Sequence, residues 1–125
     1  MTAAIFLYTG AGVFSLWGIS HIIPTKSVVV GFGTMSADNA RILTMEWVAE
    51  GLTLIFVGLL VIVTTLIIGP DKAPGNLIFI LVAVMLIVMA VWSALTGART
   101  AILPMKACPF VKSITAILFI LAVVL

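Results

Sequence analysis

Residues 42–68 read ILTMEWVAEGLTLIFVGLLVIVTTLII, an apolar run that carries two carboxylates, Glu46 and Glu50, near its start. A helix of about 20 mostly apolar residues crosses the hydrocarbon of a bilayer, so this run is long enough to span one. Ionised acids are costly inside a membrane and usually face a bundle interior, a partner or a water-filled cavity. At spacing i, i+4 the two glutamates share one helix face and must point into the same space. That space is the first place to look for function.

Composition sets the class. The chain has 125 residues, of which 64% are hydrophobic and 8% charged, with a mean hydropathy of +1.43. So few charges cannot cover the surface of a soluble domain. The Lys and Arg residues are scattered and form no patch, which argues against nucleic-acid binding. A single cysteine, Cys108, excludes an intrachain disulfide. The expected fold class is an all-α membrane protein, a four-transmembrane-helix bundle forming one domain over residues 1–125.

Four spans are expected, over about residues 3–23, 38–68, 77–100 and 110–125. Pro24 stops the first, which lacks the basic flank and cleavage site of a secretory signal. Asp38 is the expected N-cap of the second. Gly69 to Asn76 forms a breaker cluster before the third, and Pro104 and Pro109 are expected to bracket the connector before the fourth. The glycine-rich stretch Thr25 to Ala37 is too short to span and is expected to be an interfacial or re-entrant loop. Lys26, Arg41, Arg99, Lys106 and Lys112 fall on one side of this topology and only Lys72 on the other. The positive-inside rule then places both termini on the non-cytoplasmic side.

The polar residues gather at the basic end. Helical spacing aligns Gly10, Phe14, Trp17 and His21 on the first span, and Asn39, Glu46, Glu50 and Thr53 on the second. Met85, Met89, Trp92, Thr96 and Arg99 align on the third. If these stripes face one another they enclose a pocket with aromatic and Met walls and an ionisable floor, the usual make-up of a small-molecule site. Glu50, Glu46 and His21 are the candidate catalytic residues; Arg99, Trp17, Trp92, Thr96 and Trp47 are the candidate ligand-binding ones. Unequal access to Arg99 would separate the two glutamates into an acid and a base, with His21 as a third proton carrier.

Structural roles compete with each assignment. Arg99 can be a snorkelling interfacial residue, Glu46 only its salt-bridge partner, and His21 a local hydrogen-bonding group. Trp residues populate interfacial belts in any case. Cys108 reads as packing, and Gly10, Gly18, Gly51 and Gly58 as sites of close helix approach. No metal is expected: Glu46, Glu50 and His21 could supply ligands, but no Glu-x-x-His or His-x-x-x-His run is present. No cofactor is specified.

Gly18-Ile19-Ser20-His21-Ile22-Ile23-Pro24 resembles the Gly-x-x-His-x-x-Pro pattern of DoxX-like four-helix membrane proteins. Glu46-Trp47-Val48-Ala49-Glu50-Gly51 and Lys106-Ala107-Cys108-Pro109-Phe110 are similar to segments of uncharacterised members of that group. The resemblance implies a compact four-helix bundle and, from some members, a subunit of an oxidoreductase system working with quinone or thiol donors. A lone cysteine argues against thiol–disulfide chemistry here. Similarity to the EXPERA group, which includes sterol isomerases, is confined to residue types. The small multidrug-resistance exporters match in outline, but their acid lies in the first helix.

The expected function is binding of a lipophilic small molecule, isoprenoid, sterol or quinone-like, in a cytoplasmic-side polar pocket. Glu/His acid–base catalysis such as isomerisation, cyclisation or epoxide opening would fit that pocket. The alternatives are a non-catalytic membrane subunit of a larger complex and a proton-coupled transporter acting as a homodimer. The expected partners are a membrane lipid or lipophilic small molecule and no nucleic acid.

Overall fold

The computed structural model describes all 125 residues and contains helices but no strands. Helix α1 spans Thr2–Ile22, α2 Thr25–Gly31, α3 Ala37–Ile67, α4 Ala73–Leu95 and α5 Leu103–Val124, with a single 3₁₀ turn at Gly97–Arg99. The four long helices are each long and apolar enough to cross a membrane. The chain is a multi-pass integral membrane protein built as an all-α bundle. Ile5, Leu16, Phe56, Leu66, Val84 and Phe110 are among the many large apolar side chains exposed around its outside. In water such a surface would aggregate; in a bilayer it is the lipid face.

Several boundaries differ from those read in the sequence. The connector after the first span holds α2, a two-turn helix, in place of a loop. Ser36, and not Asp38, caps α3: its hydroxyl accepts from the Asn39 N–H at 3.2 Å, while Asp38 pairs with Arg41 in the first turn. Helix α4 starts at Ala73, ahead of the expected Leu77, and ends at Leu95 rather than Thr100. The largest correction concerns α5, which begins at Leu103 and so contains both prolines expected to flank it. Pro104 occupies the first turn, where a missing N–H costs nothing because that N–H has no helical partner. Pro109 lies inside the helix and is buried, a position that packed membrane helices tolerate when neighbours cover the freed carbonyl. At the other end of the bundle Gly69 adopts φ +100°, closing α3 and turning the chain into α4.

Packing runs α3 against α1, α1 against α5 and α5 against α4, while α3 and α4 touch only sparsely despite being consecutive. Between apolar helices in lipid, association depends on close van der Waals fit and small residues. The α1–α3 seam shows this. A Cβ on Gly18 would lie 2.6 Å from the Gly51 carbonyl oxygen, and one on Gly51 would lie 2.9 Å from that of Gly18. The two glycines let the backbones meet. Phe119 of α5 lies against Gly10 of α1, and Phe14, Phe79, Leu54 and Leu86 complete a core without solvent exposure beyond 1%.

Gly51→Val is expected to destabilise the bundle by about 1–3 kcal/mol through overpacking. Gly12→Ala should not, because nothing lies within 4 Å of a Cβ built there. Unfolding in mixed micelles measures both, and equal losses would refute the glycine seam.

Candidate functional site

Three helix faces build a cleft at the sparse α3–α4 seam. On α3 the stripe is Leu43, Glu46, Glu50 and Thr53; on α4 and its C-cap it is Met89, Trp92, Ser93 and Thr96; on α5 it is Met105, Cys108 and Lys112. Within each set residues recur three or four apart (Met89 with both Trp92 and Ser93, and both of these with Thr96), so each occupies one side of its helix. The cleft has a volume of about 570 Å³ and is open to the bundle surface.

Its floor is an ion pair. Lys112 donates from Nζ to Glu50 Oε1 at 2.7 Å and to Ser93 Oγ at 3.0 Å. The Ser93 hydroxyl spends its own proton on the Met89 carbonyl at 2.7 Å, which leaves its lone pair for the ammonium. The Cys108 thiol also donates to Glu50 Oε1, at 3.7 Å. The Lys112 side chain is 2% exposed and that of Glu50 28% exposed. Lys112 lies about 14 Å along its helix from the bundle end, too deep for its side chain to snorkel to the headgroups. Lys112 turns inward instead, where a charge persists only if paired and hydrogen-bonded. The carboxylate keeps a solvent-accessible side toward the cleft and records no hydrogen bond at Oε2.

His21 stands behind this floor on α1. It is 3% exposed, and its Nδ1 lies 2.9 Å from the Trp17 carbonyl oxygen. A carbonyl can only accept, so Nδ1 is the donor in this contact, while Nε2 has no hydrogen-bond partner in the protein. Trp47 stacks on the imidazole at 4.9 Å and 25°, and Trp17 meets it edge-on at 5.5 Å and 70°. Trp47 Nε1 further donates to the His21 carbonyl at 2.7 Å, tying α3 to α1. A second cavity of about 340 Å³ lies on this side, lined by Trp17, Ser20, His21, Trp47 and Leu103.

The structure therefore brings together most, but not all, of the residues chosen from sequence. Glu46, Glu50, Trp47, Trp92 and Thr96 line the larger cleft, while Trp17 and His21 line the smaller one. Arg99, an expected ligand-binding residue, is exposed, forms no ion pair and lines neither cavity, and the Glu46–Arg99 bridge of the competing structural reading is not formed either. Glu46 is exposed and unpaired, and Trp92 is 69% exposed at the cleft mouth. The cleft wall expected from the first helix is supplied by α5. Sequence reading missed Lys112 and Cys108 as site residues, although their i, i+4 spacing with one another was available as a signal.

Comparison with protein-family models, with curated proteins and with solved structures gives no significant match for this chain. The chemistry must be read from the geometry. The cleft offers a carboxylate, an ammonium, a hydroxyl and a thiol to a molecule whose remaining surface meets Met, Trp and aliphatic side chains.

Removing one member of a buried pair strands the other. Glu50→Leu is expected to cost about 3–5 kcal/mol, because it leaves Lys112 buried with Ser93 alone. Lys112→Met should cost less, since Glu50 has access to the cleft. The Glu50→Leu/Lys112→Met double variant should return to within about 1 kcal/mol of the parent. A double-mutant cycle of unfolding free energies checks this, and simple additivity would contradict it.

Proposed function

We propose that this protein binds a lipophilic small molecule of isoprenoid, sterol or quinone type. Its polar head would meet Glu50, Lys112 and Ser93, and its apolar body the Met89 and Trp92 wall. The observation that carries this reading is the ion pair on the floor of an apolar-walled cleft at the sparsely packed α3–α4 seam. A soluble metabolite would need more polar contacts than these walls offer, whereas a bilayer-dissolved one can enter sideways between two helices. A partly accessible carboxylate hydrogen-bonded to an ammonium can accept a proton from bound substrate and return it, so acid–base catalysis is within the site's means. Glu50 is the base in this scheme, Lys112 its counter-charge and proton donor. Glu46 stands at the entrance and His21 behind the floor.

A non-catalytic subunit is the second reading, favoured by the same seam: an α3–α4 gap also suits a helix from another protein. In both readings the basic end faces the cytoplasm and both termini lie outside it.

Native mass spectrometry with lipid extraction separates the readings. The parent protein should retain a lipophile that the Glu50→Leu/Lys112→Met double variant loses while remaining folded. Identical lipid content in the two would overturn ligand recognition by the pair, and a co-purifying membrane polypeptide in the parent would favour the subunit reading. For topology, a C-terminal alkaline phosphatase fusion should be active and a C-terminal green fluorescent protein fusion dark in bacterial cells; the reverse pattern would invert the orientation.

A further inference from the structure

The ion pair does not use every ligand-bearing group around it. A ring nitrogen of His21, a carboxylate oxygen of Glu50 and Cys108 Sγ all lie within 4.8 Å of one another, contributed by α1, α3 and α5. We propose that these three side chains bind a divalent transition metal of the zinc class. An imidazole, a carboxylate and a thiolate together suit a borderline-soft ion and not Mg²⁺ or Ca²⁺, which take oxygen ligands.

The surroundings fit a metal ligand set. In metal sites the ligating histidine usually donates its other N–H to a carboxylate or backbone carbonyl, which fixes tautomer and orientation. His21 does so through Nδ1 to Trp17, and Trp47 and Trp17 hold the ring from its face and edge. Its Nε2, with no protein hydrogen bond, is the nitrogen available to an ion. Glu50 has Oε2 available, because Lys112 and Cys108 both address Oε1. Zinc bonds of about 2.0–2.3 Å set tetrahedral ligand atoms about 3.3–3.7 Å apart, so side chains that already bring one ligand atom each within 4.8 Å of the others need draw in by about 1–1.5 Å at most.

Charge allows it as well. Binding releases the Cys108 proton, so thiolate and carboxylate offset the dication while Lys112 keeps its ammonium on Glu50 Oε1 and Ser93. Three protein ligands leave a fourth position, the pattern of catalytic rather than purely structural zinc sites. Glu50 and Cys108 line the larger cleft and His21 the smaller one, so the three ligands lie between the two cavities. The inference stands apart from the lipophile reading: the ligand set is defined by the three side chains whether or not a lipid enters.

The test uses the full chain in detergent, stripped with chelator and titrated with Co²⁺ as a spectroscopic stand-in for Zn²⁺. One equivalent of Co²⁺ should produce a thiolate-to-cobalt charge-transfer band. Cys108 is the chain's only cysteine, so the band can have no other internal source. Binding should quench tryptophan fluorescence, through Trp47 and Trp17 on the His21 ring, and Zn²⁺ should reverse the quenching. Cys108→Ser should abolish the band, and His21→Gln should weaken Co²⁺ binding at least tenfold. Absence of the band from folded parent protein would overturn the site, as would a Cys108→Ser variant with the parent's Co²⁺ affinity. Lipid retained by protein that shows no cobalt band would remove the metal proposal and leave the lipophile reading intact.

Discussion

The Lys112–Glu50 pair sets the terms for the rest of the structure. A lysine 2% exposed inside a bundle that lipid surrounds has no water to stabilise its charge. Only a partner at hydrogen-bond distance and a second acceptor make the arrangement tolerable. Glu50 comes from α3, Ser93 from α4 and Lys112 from α5, so satisfying one ammonium requires three helices to hold fixed positions. The pair is also the main polar link across the seam where α3 and α4 otherwise scarcely meet. The cleft is thus defined by electrostatics at its floor and by loose packing at its mouth.

The opposite seam is built on a different principle. Gly18 and Gly51 bring α1 and α3 into backbone contact, and one turn further along, the Trp47 indole donates to the His21 carbonyl. Glu50 precedes Gly51 directly, so the acid is neighbour to the residue that fixes its helix. Close packing on one face of α3 anchors this helix, and its other face carries Glu46 and Glu50 into the polar cleft. His21 sits where the two meet: buried, ring-stacked and near Glu50 and Cys108 without lying in the larger cleft itself.

Much of this was readable from residue order. The apolar runs located four spans, and the i, i+4 glutamates placed a polar feature on one face of the second. The stripes through Phe14 and His21, and through Met89, Trp92 and Thr96, fell on faces that are buried or line the cleft. Read locally, two prolines look like breakers, which moves the expected start of the fourth span from Leu103 to Phe110. Pro104 is in fact harmless in a first turn, and Pro109 is covered by tertiary packing. That displacement concealed Lys112. Assigned to a helix end, it reads as a snorkelling cation; placed in the tenth position of α5, it becomes the buried partner of Glu50. Arg99 shares a stripe with Trp92 and Thr96 in the sequence and so reads as a counter-ion for Glu46, but the helix breaks at Thr96, the stripe does not continue and Arg99 forms no ion pair.

Hydropathy alone determined that this is a multi-pass α-helical membrane protein, because backbone groups in hydrocarbon must be satisfied within each helix and about 20 apolar residues are needed to span. Periodicity determined which residues share a face, since that follows from helix geometry within one segment. Which faces meet was decided only by tertiary packing: α3 against α1, α1 against α5, α5 against α4. The choice of Lys112 over Arg99 as counter-ion, and the gathering of His21, Glu50 and Cys108, belong to that level. Distances between helices depend on glycine contacts and buried charge pairing among residues far apart in the chain, and no single-segment pattern encodes them.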